Sequence, residues 1–124
     1  MIKNVIVAAG AVIIEDGKIL LNKHGEDEFW KFLGGRVDEA DAFDTEMTLE
    51  KACIREAKEE NGFYIEIIRP LKPMMVPKPG SPDTWVVLIH FLANRKGKIH
   101  PVKSVGGGAP SGQFNRVKLG ADIK

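Results

Sequence analysis

Within Arg55-Glu56-Ala57-Lys58-Glu59-Glu60-Asn61-Gly62-Phe63, three acids stand at i, i+3 and i+4: Glu56, Glu59 and Glu60. On a helix those offsets share one face, with neighbouring Cβ atoms about 5–6 Å apart. No other stretch constrains the chain as tightly. The segment reads as a helix with Leu49, Ala52, Cys53 and Ala57 on its buried side and Ile54 packing elsewhere. It ends at Gly62, which can take a left-handed cap. Thr48-Leu49-Glu50-Lys51 reads as its start, with Thr45 or Thr48 as N-cap and Glu50 favourably placed in the first turn. Negative charges this close repel, so the helix gains nothing by collecting them. Either they form a solvated face, or they share a hard divalent cation such as Mg²⁺ or Mn²⁺, which takes oxygen ligands in this way.

The helix lies among β-formers. Val5–Glu15 and Lys18–Asn22 are β-rich runs separated by Asp16-Gly17, a strong hairpin signal. Gly10, inside the first run, suggests a bulge or the close approach of another backbone. Phe29–Leu33 reads as a short strand ending at Gly34-Gly35. Past the helix, Phe63–Arg69 is a β-rich run closed by Pro70. Pro73, Pro77, Pro79 and Pro82 predict an extended loop. Thr84–Ala93 reads as a central strand, turning at Asn94-Arg95-Lys96-Gly97 into Lys98–Val102. The Gly-rich segment 105–112 has a flexible composition and lacks the Lys-Ser/Thr of a phosphate-binding loop. Residues 104–124 are expected to be flexible, divergent or complete only in a homodimer.

With 124 residues the chain is expected to be a single domain, 1–124. A net charge of +1 gives no global attraction to a nucleic-acid polymer. Of the 17 acids, 14 lie at or before Glu60, so the C-terminal half is net basic. That asymmetry suits a polyphosphate bridged by metal ions, or is an accident of composition. Cys53 is the single cysteine, which rules out an intrachain disulfide. The apolar run Val5–Ile14 is too short to span a membrane and leads into a turn. A cytoplasmic protein with no membrane contact is the expectation. His24, His90 and His100 show no ligand spacing.

The glycine pair Gly34-Gly35, an acidic loop and then a helix bearing R-E-x-x-E-E-x-G together resemble the Nudix box of Nudix hydrolases. The family pattern is G-x5-E-x7-R-E-U-x-E-E-x-G-U, with U a bulky aliphatic residue. Gly35, Arg55, Glu56, Glu59, Glu60 and Gly62 match it, and Ala57 and Phe63 stand at the U positions. The loop departs from it. Counting forward from Gly35, the first glutamate falls at Asp41; counting back from Arg55, it falls at Met47. The loop is therefore six residues longer than the pattern, and Glu46, Asp41 and Glu39 all stay open for the role.

The resemblance implies an α/β fold: a Nudix-like α/β/α sandwich with a mixed sheet. It implies a hydrolase that uses Mg²⁺, with Mn²⁺ as substitute, to break the pyrophosphate linkage of a nucleoside diphosphate derivative. Candidates are an NTP, an oxidised dNTP, ADP-ribose or a similar small molecule. Glu56, Glu59, Glu60 and the Gly34 carbonyl would bind metal, with Glu59 or Glu60 as base. Arg55 would pair with a loop acid or orient a metal-binding carboxylate. Gly35 and Trp30 are candidates for substrate contact, with Phe29 and Trp85 as further stacking aromatics. Asp83 is the late acid available as extra ligand or base, though a turn-capping role suits it too. The alternatives are a non-catalytic Nudix-like nucleotide-binding module, motivated by the long loop and weak tail, and a purely structural acidic helix.

Overall fold

The computed structural model describes residues 1–23, 32–43, 45–98 and 116–122. Strand β1 (Asn4–Glu15) and strand β2 (Lys18–Lys23) form a hairpin through Asp16-Gly17. Both turn residues have positive φ, 53° and 74°, the geometry of a two-residue primed turn. The short strand β3 (Gly35–Arg36) pairs with β1, so pairing begins at Gly35 rather than ending there. Phe32 and Leu33 lie outside any strand, and residues 29–31 fall outside the described residues. A 3₁₀ turn (Glu39–Phe43) precedes helix α1 (Thr48–Asn61).

Met47, not a threonine, occupies the N-cap position of α1, and no side chain caps it. At the other end Gly62 takes φ 73°, ψ 23° and donates its N–H to the Lys58 carbonyl, the cap its lack of a Cβ permits. Strand β4 (Tyr64–Pro70) follows the helix. The proline-rich segment contains a strand, β5 (Met74–Lys78), antiparallel to β6 (Ser81–Lys96), which runs three residues further at each end than the apolar run predicts. The N-terminal part of β6 pairs with β5 and its C-terminal part with β4, so β5 carries Pro77 on an outer strand, where a missing N–H is tolerated. Strand β7 (Arg116–Asp122) pairs with β2. The region read as a divergent tail thus adds a strand, while Lys98–Val102 falls almost wholly outside the described residues.

Together these strands make one mixed seven-stranded sheet with main order β4-β6-β1-β2-β7. Its centre is the parallel pairing of β1 with β6, from Asn4 opposite Thr84 to Ile13 opposite Ala93. Alternation along β1 turns Ala9, Ala11 and Ile13 inward, against Ala52, Cys53 and Ala57 of α1. Small residues on both sides let the helix lie close to the sheet. Phe63, Ile65, Phe91 and Leu20 fill the periphery of this core, and Ile54, expected elsewhere, packs against it as well. The α/β class and mixed sheet agree with expectation. Among the described residues α1 is the one α-helix, so a second helical layer is not part of what is seen.

Candidate active site

Two backbone crossings build the site. A Cβ on Gly10 would run into the carbonyl oxygen of Leu33 and lie 2.9 Å from the Cα of Gly34. Gly34 takes φ 137°, and a Cβ there would sit 2.7 Å from the Ala9 carbonyl oxygen. Glycine at both places lets the segment after Leu33 cross β1 in contact. The next residue faces α1: a Cβ on Gly35 would lie 2.5 Å from the carboxyl carbon of Glu56. Gly35 is therefore a cradle for the Glu56 carboxylate, and β1 holds it there by pairing Ala9 with Gly35.

Glu56 is 8% exposed. Burial, and then the neighbouring Glu60 charge, push its carboxyl up to about 7 against the pull of Arg55. A carboxyl raised that far holds a proton for part of the time near neutral pH.

Arg55 ties this pair to the loop. Its Nε and Nη2 donate to Asp41 Oδ1 and Oδ2 at 3.0 and 2.9 Å, a bidentate fork. Nη1 donates to Glu56 Oε1 and to Glu59 Oε2, each at 2.9 Å, and Nη2 also reaches the Arg36 carbonyl at 3.0 Å. Asp41 is buried; its Oδ2 accepts the Asp38 N–H at 2.8 Å, while Asp38 Oδ1 accepts the Ala40 N–H. The Arg55 fork holds the Asp41 carboxyl below the usual range despite desolvation, and Asp41 in turn raises Arg55. Asp41 is thus the loop acid that meets Arg55. The six extra residues fall after it, between Asp41 and the helical arginine.

The three helix acids share α1 but differ in exposure. Glu56 is buried, Glu60 is half-buried and the Glu59 side chain is 60% exposed, while Glu56 and Glu59 meet on the Nη1 of Arg55. Among the described residues no three acid, histidine or cysteine side chains converge as a ready-made cage. What the structure does offer a cation is the buried Glu56 carboxylate against a glycine backbone, with the half-buried Glu60 charge beside it, a hard oxygen donor set whose repulsion a divalent ion would relieve. The residues present fit such an ion.

Asp83 is not brought to this cluster. It lies near the start of β6, pairs with Lys3 at 3.7 Å and accepts the Lys3 N–H on its carbonyl. The six residues between the Lys3 and Ala9 levels put it about 20 Å along the strand from Gly35. Trp85 lies in the same part of β6, opposite Val5 and Pro77. Trp30 and Phe29 lie outside the described residues. Of the loop acids left open by the sequence, Asp41, to which the forward count from Gly35 leads, is the one bonded to Arg55.

The Gly35 cradle makes a direct prediction. Gly35→Ala should displace the Glu56 carboxylate, because the new Cβ meets it head on. Activity should fall at least about tenfold while the fold survives, at a stability cost of about 1–3 kcal/mol read from the melting temperature. Full activity in the alanine variant would show that Glu56 is not needed where it lies.

A family model described as the NUDIX domain matches residues 5–112, most of the chain. The protein belongs to the NUDIX family. Its sheet-and-helix framework is shared with solved structures at low identity. MutT NUDIX hydrolase from Burkholderia pseudomallei is 23% identical, with 98% of this chain and 92% of that one covered at a TM-score of 0.66. A UDP-X diphosphatase is 15% identical, and an ADP-ribose pyrophosphatase from Streptococcus suis 89-1591 is 20% identical. Their TM-scores are 0.71 and 0.59, covering 99% and 94% of this chain and 56% and 73% of theirs. No curated protein is similar enough in sequence to count as a relative. As a NUDIX protein the chain is a pyrophosphohydrolase acting on phosphorus-containing anhydrides, and the family generally uses divalent metals and nucleotide-derived substrates. No helix among the described residues is long and apolar enough to cross a membrane.

Proposed function

We propose that this NUDIX protein hydrolyses the pyrophosphate linkage of a nucleoside diphosphate derivative with Mg²⁺, for which Mn²⁺ can substitute, in the cytoplasm. The observation that carries the reading is the buried Glu56 carboxylate, seated against Gly35 and held there by Arg55, with Glu60 beside it on the same helix. Glu56 and Glu60 would hold the cation, with Glu59 and the Gly34 carbonyl as further oxygens. When bound, a divalent ion supplies charge neutralisation at the diphosphate and acidification of the attacking water.

The protein's own groups do the rest. Arg55 keeps the Glu56 carboxylate oriented by donating to Oε1, and its fork to Asp41 prevents it from swinging away. Water adds to one phosphorus, the bridging P–O bond breaks, and the leaving phosphate departs with the electron pair. The proton lost by the water goes to a carboxylate oxygen of Glu59 or Glu60. The printed activities of two structural neighbours, on UDP-X and ADP-ribose, support a nucleoside diphosphate as the common part of the substrate.

A panel of NTPs, oxidised dNTPs, ADP-ribose, dinucleoside polyphosphates and NDP-sugars tests this. With Mg²⁺ or Mn²⁺ at least one should release a nucleotide with phosphate, pyrophosphate or a phosphorylated X group. Chelation should stop the reaction and added Mg²⁺ should restore it. No release from any member of the panel would reject the proposal, and tight chelator-insensitive nucleotide binding in its place would favour a binding module.

A further inference from the structure

A cavity of about 260 Å³ opens beside the glycine pair, lined by Gly34 and Gly35 at one end. Its floor is Ala8 and Gly10 of β1 with Leu88 of β6. These positions alternate with the core-facing Ala9, Ile89 and Phe91 and so belong to the sheet face turned away from α1. Of the side chains lining the cavity, His90 is the one able to hydrogen-bond. Its ring stands 5.7 Å from the half-exposed Phe32 ring, tilted by 59°. These two rings also border a second cavity of about 160 Å³ further along the face, so they form the ridge between the two.

Among the described residues the His90 imidazole has no hydrogen-bond partner. Burial lowers its pKa, which keeps the ring neutral near pH 7, with one nitrogen as donor and the other as acceptor. An apolar wall with a single donor–acceptor group selects among the groups a diphosphate could carry. A sugar brings several hydroxyls that would go unmatched here, and a hydrocarbon chain would bury the imidazole unsatisfied. A flat heterocycle with a polar edge suits both the apolar floor and the imidazole. The space suits one ring system rather than a whole dinucleotide, since pockets for larger ligands start at about 300 Å³.

The geometry points to His90 as a specificity-determining residue that reads the edge of a planar nitrogen heterocycle, the base of the nucleotide, laid beside Phe32. The diphosphate then lies at the Gly34–Gly35 end, next to the Glu56 cradle. That placement rests on the hydrolase reading above, and the base recognition can be measured without it.

Calorimetric titration of nucleoside monophosphates and of ribose 5-phosphate into the full chain tests the inference. At least one nucleotide should bind about tenfold tighter than ribose 5-phosphate. His90→Leu should erase that preference and leave ribose 5-phosphate affinity unchanged; His90→Asn, which keeps a donor and an acceptor, should restore part of it. Phe32→Leu, at an exposed position, should weaken nucleotide binding with little effect on the melting temperature. In steady-state assays His90→Leu should raise KM about tenfold and hold kcat within about twofold. Equal affinity for ribose 5-phosphate and every nucleotide, or an intact base preference in His90→Leu, would overturn the inference. Nucleotide hydrolysis without base preference would remove it and spare the hydrolase reading. A His90-dependent base preference in a protein that hydrolyses nothing would do the reverse.

Discussion

Glu56→Gln is expected to lower hydrolysis by about 10²–10⁴ and at the same time to stabilise the protein at pH 8. The two effects share one cause. The wild-type carboxyl titrates at about 7 in the folded chain, against a reference value of 4.5. Between those values the folded state holds a proton that the unfolded state lacks, so raising the pH from 5 to 8 withdraws stability. Glutamine can accept from Arg55 and donate to Glu60 without that titration. The variant should therefore melt higher than wild type at pH 8, by about 1–2 kcal/mol once solvent screening is allowed for, and the gap should close towards pH 5. His90 works in the opposite sense, since its lowered pKa costs stability as the pH falls, but both proteins carry it and it cancels in the difference. Parallel melting-temperature profiles for the two proteins would remove Glu56 from this role.

Loss of the guanidinium should be the costliest single change to stability. Arg55→Ala strands the buried Asp41 carboxylate and removes the guanidinium that Glu56 accepts from, at a cost of about 3–5 kcal/mol. Asp41→Asn in the same chain should recover a measurable part, because the amide can stay buried neutral. Arg55→Lys keeps the charge but not the fork, so it should fold better than the alanine variant and still lose about 10–100-fold in activity. Denaturant titration of the single and double variants checks the first two expectations. Additive costs for Arg55→Ala and Asp41→Asn would mean that the pair is not coupled.

Local chemistry made part of this fold legible. The helix followed from its apolar side and from Gly62, the hairpin from Asp16-Gly17, and the backbone crossing from a glycine inside an apolar strand. The parallel pairing of β1 with β6 could not be read, because partners about eighty residues apart leave no periodic mark on either segment. Strand β5 was hidden because proline usually argues against a strand, and on an outer strand it does not. Strand β7 was hidden by Gly120 and by the glycine-rich stretch before it. At the site, spacing placed three acids on one helix but could not say that Arg55 would bridge Glu56 and Glu59 through one nitrogen. Counting in the two directions led to different positions and left Asp41, Glu46 and Glu39 open; the Asp38 turn and the guanidinium fork single out Asp41. His90 has no partner in sequence spacing, and only the sheet register sets it beside the glycine pair.

A divalent cation held by Glu56 and Glu60 should displace the proton that Glu56 carries near neutral pH. Titration of Mn²⁺ into the protein by calorimetry, in two buffers of different ionisation enthalpy, reads that exchange directly. Binding should release close to one proton at pH 6 and almost none at pH 8, and Glu56→Gln should bind at least about tenfold more weakly. Unchanged Mn²⁺ affinity in Glu56→Gln, with no proton release at either pH, would contradict it.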